Sequence, residues 1–142
     1  MLFRSAKLRA GQVLALAPTI AANPVDKFGV QVITHDAGAA SADDLRTLTL
    51  DVRSRLGDER PTVVAIAGVA KDRPVVVVAT NAEARRWGVK AGELVRTAAQ
   101  TLGGGGGGKD DLAQGGGQDA SQVGAALQGI EDFVGARVTG SV

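Results

Sequence analysis

Residues 102–117 read LGGGGGGKDDLAQGGG and hold nine of the chain's 20 glycines. Glycine loses more backbone freedom on folding than any other residue, so a folded domain has little reason to collect so many in one place. Two readings remain. Either the backbone there comes very close to something, such as a phosphate, a base or another strand, or the segment is a flexible linker. A linker would continue in Gly and Ser. Here two glycine runs frame a defined Lys109-Asp110-Asp111-Leu112-Ala113-Gln114 core, and a helix-like segment follows, which favours close approach.

Composition narrows the chemistry. At 142 residues the chain fits one ordinary domain, and 44% hydrophobic with 22% charged residues is a globular balance. There is no cysteine, so there is neither a disulfide framework nor a thiolate metal site. His35 is the only histidine, which removes zinc catalysis by His/Cys clusters. A lone His at a strand end reads as structural or solvent-exposed. Net charge is only +1, but it is unevenly spread. Residues 71–109 carry seven cations against three carboxylates, while residues 110–142 carry one against five. The basic half leads into the glycine tract and is a candidate anion-binding face, although surface Arg and Lys are commonly just solvated. No apolar run is long enough to span a membrane. Pro18 and Thr19 interrupt the apolar stretch after Arg4, Lys7 and Arg9, so it is too short for a secretion signal and a cytoplasmic location is expected.

Periodicity predicts alternating helices and strands. Phe3, Ala6, Ala10, Val13, Ala17 and Ile20 recur at heptad spacing and predict a helix over 1–22, ending or kinking at Pro18. Its bland reading is a helix packed on its own domain. Residues 25–36 predict a first strand. Residues 41–56 predict an amphipathic helix, with Ser41 as N-cap, Leu45, Leu48, Val52 and Leu56 as its buried stripe and Gly57 as C-cap. Thr62–Ala70 and Pro74–Thr80 predict an antiparallel hairpin in the sheet centre, covered on both faces. Asn81 should cap a short turn of helix through Arg86. Gly88 and Gly92 bracket a break before a helix over 93–102. After the glycine loop, Asp119 opens a last helix carrying Val123, Leu127, Ile130 and Val134, and residues 137–139 could add an edge strand.

The possible catalytic motifs are weak. Gly103 to Lys109 fits the spacing G-x-x-x-x-G-K, but Asp110 stands where a phosphate-binding loop needs Ser or Thr, and a helix rather than a strand precedes it. Asp110 and Asp111 lack a second carboxylate cluster or a His and read as solvated turn residues. What remains is anion binding. Stacked N–H groups of a glycine-rich loop form an anion-binding concavity, and a nearby Lys or Arg adds charge-assisted bonds to phosphate. With a single Trp and no Tyr, an extended base-stacking platform is not expected, and Trp87 reads as packing.

The glycine motif with its Asp-capped helix resembles the DHH-associated C-terminal domain of bacterial alanyl-tRNA synthetases. Ala42-Asp43-Asp44-Leu45-Arg46, Arg60-Pro61-Thr62-Val63-Val64 and Gly88-Val89-Lys90-Ala91-Gly92-Glu93-Leu94-Val95-Arg96 agree with it, and Lys7-Leu8-Arg9-Ala10 resembles the end of the helical arm before that domain. The resemblance implies an α/β fold, a single globular domain with a central mixed β-sheet flanked by helices. Residues 1–23 would be the end of the coiled-coil-like arm and residues 24–142 the globular domain, with the glycine-rich loop at 103–117. It implies contact with the elbow of alanine tRNA, in support of ligation and editing by the whole enzyme, and a homodimer through the arm. A dimerisation or structural domain without tRNA contact is the alternative. The nucleic-acid-binding candidates carried over are Gly103, Gly104, Gly105, Gly106, Gly107 and Gly108, then Lys109, Gln114, Gly115, Gly116 and Gly117, with Lys90 and Arg96 from the preceding segment. No membrane partner is implied. The DHH phosphoesterases carry a His in this glycine motif, and this chain has none there. Neither catalysis nor a cofactor is therefore expected of these residues. ATP, magnesium and zinc would belong to other parts of such an enzyme.

Overall fold

The computed structural model describes residues 15–22 and 24–139. The chain builds a six-stranded mixed sheet in the order β1-β2-β3-β4-β6-β5. Its strands are β1 (Val25–Lys27), β2 (Val30–Ala39), β3 (Thr62–Ala70), β4 (Arg73–Thr80), β5 (Gly105–Gly108) and β6 (Leu112–Gly116). Only β2 and β3 run parallel; every other neighbouring pair is antiparallel. The helices are α1 (Ala17–Ala21), α2 (Ala42–Leu56), α3 (Ala82–Arg86), α4 (Ala91–Leu102) and α5 (Val123–Thr139). The expected α/β fold is the one observed.

Strand alternation explains the layers. Along β3, Val63, Ala65 and Ala67 point to one face, where α4 and α5 supply Leu94, Val95, Leu102, Ile130 and Val134. Val64 and Ile66 point to the other face, against Leu45, Leu48 and Val52 of α2 and Ala17 and Ile20 of α1. The central strands are buried on both sides, which is why the sequence there is a nearly unbroken apolar run.

The caps fall where the side chains dictate. Ser41 accepts from the Asp44 N–H, and Gly57 ends α2 at φ 77°. Asn81 is buried and uses its whole amide. Its Oδ1 accepts from the N–H groups of Thr62 and Ala84, and its Nδ2 donates to the carbonyls of Gly57 and Arg60.

Several expectations are corrected. The predicted first strand is two strands, because Phe28 (φ 55°) and Gly29 (φ 96°) turn the chain back between them. Pro18 sits in the first turn of α1, which suits its missing N–H, and the helical assignment breaks at Leu16 just before it, as a kink near Ala17 requires. The helix after Gly88 begins at Ala91 with Gly92 inside it. Residues 137–139 continue α5, held there by the Arg137–Glu93 pair, and form no edge strand. Of the heptad positions, Phe3, Ala6, Ala10 and Val13 lie outside the described residues. Ala17 and Ile20 pack on the domain's own core. No helix among the described residues is long and apolar enough to cross a membrane.

Candidate nucleic-acid interface

The glycine tract is a β-hairpin, not a loop. β5 pairs with β6 in the register Gly105↔Gly116, Gly106↔Gly115, Gly107↔Gln114 and Gly108↔Ala113. β6 is inserted between β5 and β4, so β5 is the sheet's edge. Before it, α4 ends on Gly103 in the left-handed conformation, and the Gly104 N–H returns to the Ala99 carbonyl.

Six of these nine glycines, at 104, 106, 108, 115, 116 and 117, are required by packing. A Cβ on Gly106 would stand 2.4 Å from the Gly115 Cα and 2.7 Å from Val95 Cγ1. One on Gly115 would also meet Val95 Cγ1 at 2.7 Å. One on Gly104 would meet the Gly116 carbonyl, and one on Gly117 the Leu102 carbonyl, each at 2.2 Å. Helix α4 therefore lies directly on the hairpin backbone. The close approach expected from the sequence is real, and its partners are a strand and a helix of the same domain.

Gly105 and Gly107 differ. A Cβ at either would meet nothing within 4 Å. They alternate with Gly106, so they face the side of the sheet away from α4, and they are exposed. Together with the free edge of β5 they form a bare backbone shelf that internal packing does not require.

The cations surround this shelf on different sides. Arg96 is exposed on α4 next to Val95, on one face of the sheet. Gln114 projects from the opposite face, where its Oε1 accepts from Arg46 Nη2 at 2.7 Å. The two candidates Arg96 and Gln114 thus lie on opposite faces of the sheet, and Arg46 is the cation beside Gln114. Lys109 lies at the hairpin tip. Lys90 precedes α4 close by, because the Ala91 N–H donates to the Asp110 carbonyl at 2.9 Å. Among the described residues Lys90, Arg96 and Lys109 have no ion-pair partner.

The tip is fixed by its carbonyls. Asp110 O also accepts from Thr80 Oγ1 at 2.6 Å, and Asp111 O accepts from the Thr80 N–H and from Arg53 Nη1. The two carboxylates take no part in this. Arg53 and Arg85 both donate to the Thr80 carbonyl and border a polar cavity of about 370 Å³ that Asp58 and Asp111 also line. Sequence reasoning missed Arg46, Arg53 and Arg85. The first two sit on α2, whose pattern shows only an ordinary polar face, and only three-dimensional packing brings them to the hairpin. Among the described residues no three His, Asp or Glu side chains gather as a metal-binding group.

This architecture and hairpin define a recognised class. The family model of the DHHA1 domain matches residues 27–136, and the chain belongs to that family. It is 89% identical over 137 residues to the alanine–tRNA ligase of Kineococcus radiotolerans, covering 96% of this chain and 15% of that protein. It is 54% identical over 136 residues to the alanine–tRNA ligase of Thermobifida fusca, again 15% of that protein. The chain thus spans about 15% of the length of these curated relatives. Its structure is similar to the C-Ala domain of the Aquifex aeolicus alanyl-tRNA synthetase, with a TM-score of 0.71 and 26% identity, covering 80% of this chain and 98% of that one. Thermus thermophilus RecJ, at 16% identity and a TM-score of 0.59, shares the fold alone.

Proposed function

We propose that this chain serves as the tRNA-contacting C-terminal domain of an alanyl-tRNA synthetase, carrying no chemistry of its own. The observation that carries the reading is the bare shelf at Gly105 and Gly107. Packing explains the inward-facing glycines, but nothing inside the domain requires these two. A backbone free of side chains admits a sugar–phosphate strand at close range. Its rim of Arg46, Arg96, Lys90 and Lys109 supplies charge for phosphates on both sides of the sheet edge and at the tip. Such contacts read RNA shape more than sequence, which suits the elbow of alanine tRNA. No cofactor enters this role; ATP, magnesium and zinc act elsewhere in the synthetase.

The test is a salt-dependent binding titration against alanine tRNA and bulk tRNA, with wild type beside the Lys109→Ala, Arg96→Ala double variant. Binding should weaken linearly in log–log form with salt. The variant's slope should be shallower by roughly 0.7–0.9 for each phosphate it no longer neutralises. An absence of binding at low salt, or an unchanged slope, contradicts the proposal.

A further inference from the structure

The end of the sheet that bears the hairpin tip also exposes two aromatic rings. Register ties the positions together: Lys27 pairs with Val30, Gln31 with Thr62, Val63 with Thr80, and Ala79 with Leu112. The Phe28-Gly29 turn, the start of β3, the end of β4 and the Lys109–Asp111 tip therefore share one end. Trp87 joins them there. It follows α3, which Asn81 starts directly after β4. Its ring lies against Gly29, where a Cβ would be only 3.2 Å from the indole.

Folding explains only part of this arrangement: the Phe28 ring lies along Gly135 of α5, where a Cβ would stand 3.4 Å from its Cε2. Phe28 is 66% exposed and Trp87 44% exposed. Phe28 also holds a left-handed φ of 55°, a conformation that penalises a bulky side chain and suits Gly or Asn. The turn is secured without the ring: the Gly29 N–H donates to Asp26 Oδ1, and Arg60 donates to the same oxygen and to the Gly29 carbonyl. Beyond the Gly135 contact the Phe28 ring stays mostly exposed on a strained backbone position, open to something outside the fold.

We infer that Trp87 and Phe28 form a stacking site for unpaired nucleobases, beside the phosphate-binding rim. The inference rests on the RNA reading above. Two rings fall far short of the roughly 800 Å² that each partner gives to a standard protein interface, but one ring suffices for one base. The surrounding charge is mixed. Asp26 and Glu83 are occupied by Arg60 and Arg86, and Arg85 is held by a carbonyl. Asp58, Glu59 and the Asp110 and Asp111 carboxylates also lie at this end, where Arg53, Arg85, Lys90 and Lys109 are cations without an ion pair among the described residues.

Trp87 is the chain's only tryptophan, so its fluorescence reports the site directly. The 142-residue chain is titrated with alanine tRNA and with a single-stranded oligoribonucleotide, while anisotropy of a labelled RNA follows binding independently. Heparin serves as a polyanion without bases. Stacking predicts saturable quenching by both RNAs at the midpoint given by anisotropy, and none by heparin. Phe28→Asn should weaken RNA binding about 5- to 150-fold while melting at the same temperature or higher, since Asn suits the turn. A purely structural role for Phe28 predicts the reverse. RNA binding with unchanged Trp87 fluorescence and an unaffected Phe28→Asn variant would overturn the stacking site, leave the RNA reading intact and point to a protein surface. Equal quenching by heparin would also overturn it. Absence of RNA binding by anisotropy would overturn both readings.

Discussion

Gly106 and Gly107 are neighbours in one strand, yet alanine should have opposite effects at the two positions. At Gly106 the new methyl would stand 2.4 Å from the Gly115 Cα, 2.7 Å from Val95 Cγ1 and 2.9 Å from the Gln114 carbonyl. Two of these are backbone atoms of β6, which is hydrogen-bonded to β4 and β5 and cannot move alone. Overpacking of this kind costs about 1–3 kcal/mol, partly offset by up to about 1 kcal/mol from removing a glycine's freedom in the unfolded chain. A net loss near 2 kcal/mol corresponds to a melting temperature roughly 6–10 °C lower for a domain of this size. At Gly107 the methyl meets nothing within 4 Å, and φ lies outside the left-handed region. Only the unfolded-state gain remains, so Gly107→Ala should melt at the wild-type temperature or a few degrees above it. The same methyl projects into the proposed RNA shelf and should weaken tRNA binding. Paired thermal melts followed by circular dichroism, with tRNA titrations of the folded variants, decide the matter. If the two variants melt together, or if Gly107→Ala is the less stable one, the alternation argued for β5 is wrong.

Three further perturbations address the supports of the site. Asn81→Ala removes a buried amide with four hydrogen-bonded partners and should cost roughly 3 kcal/mol or more, read as a lower denaturant midpoint. Thr80→Val removes the hydroxyl that holds the Asp110 carbonyl at 2.6 Å; amide exchange over 109–111 should accelerate while the Val-rich centre of the sheet stays protected. Glu93→Ala unties α4 from Arg137 of α5, a partly exposed pair, and should cost about 1 kcal/mol in a chemical denaturation series, with tRNA affinity unchanged.

The elements that bury a continuous stripe or run were legible in the sequence. Leu45, Leu48 and Val52 mark α2, and the Val-rich runs of β3 and β4 need cover on both faces. Ser41, Gly57 and Asn81 act as the caps their chemistry suggests. The glycine hairpin was not legible as strands, because strand propensity reflects side-chain packing and these residues have no side chains to pattern. Their secondary structure follows from the partners on either side, α4 and β4. The Phe28-Gly29 turn was hidden for a related reason: Phe favours strands, and only the structure shows it at positive φ. At the candidate site, the glycines, Lys90 and Lys109 could be singled out because they are close in sequence to the motif. Arg46 and Arg53 reach the hairpin from α2 across 68 and 58 positions of chain, and no local pattern announces such contacts.

The most direct test of RNA contact at the hairpin is amide exchange of the 142-residue chain with and without saturating alanine tRNA. Exchange should slow over residues 103–111, the β5 edge and the hairpin tip, with little change along α5. Protection centred on α5, or an unchanged hairpin in a chain that is fully bound, would contradict RNA contact there.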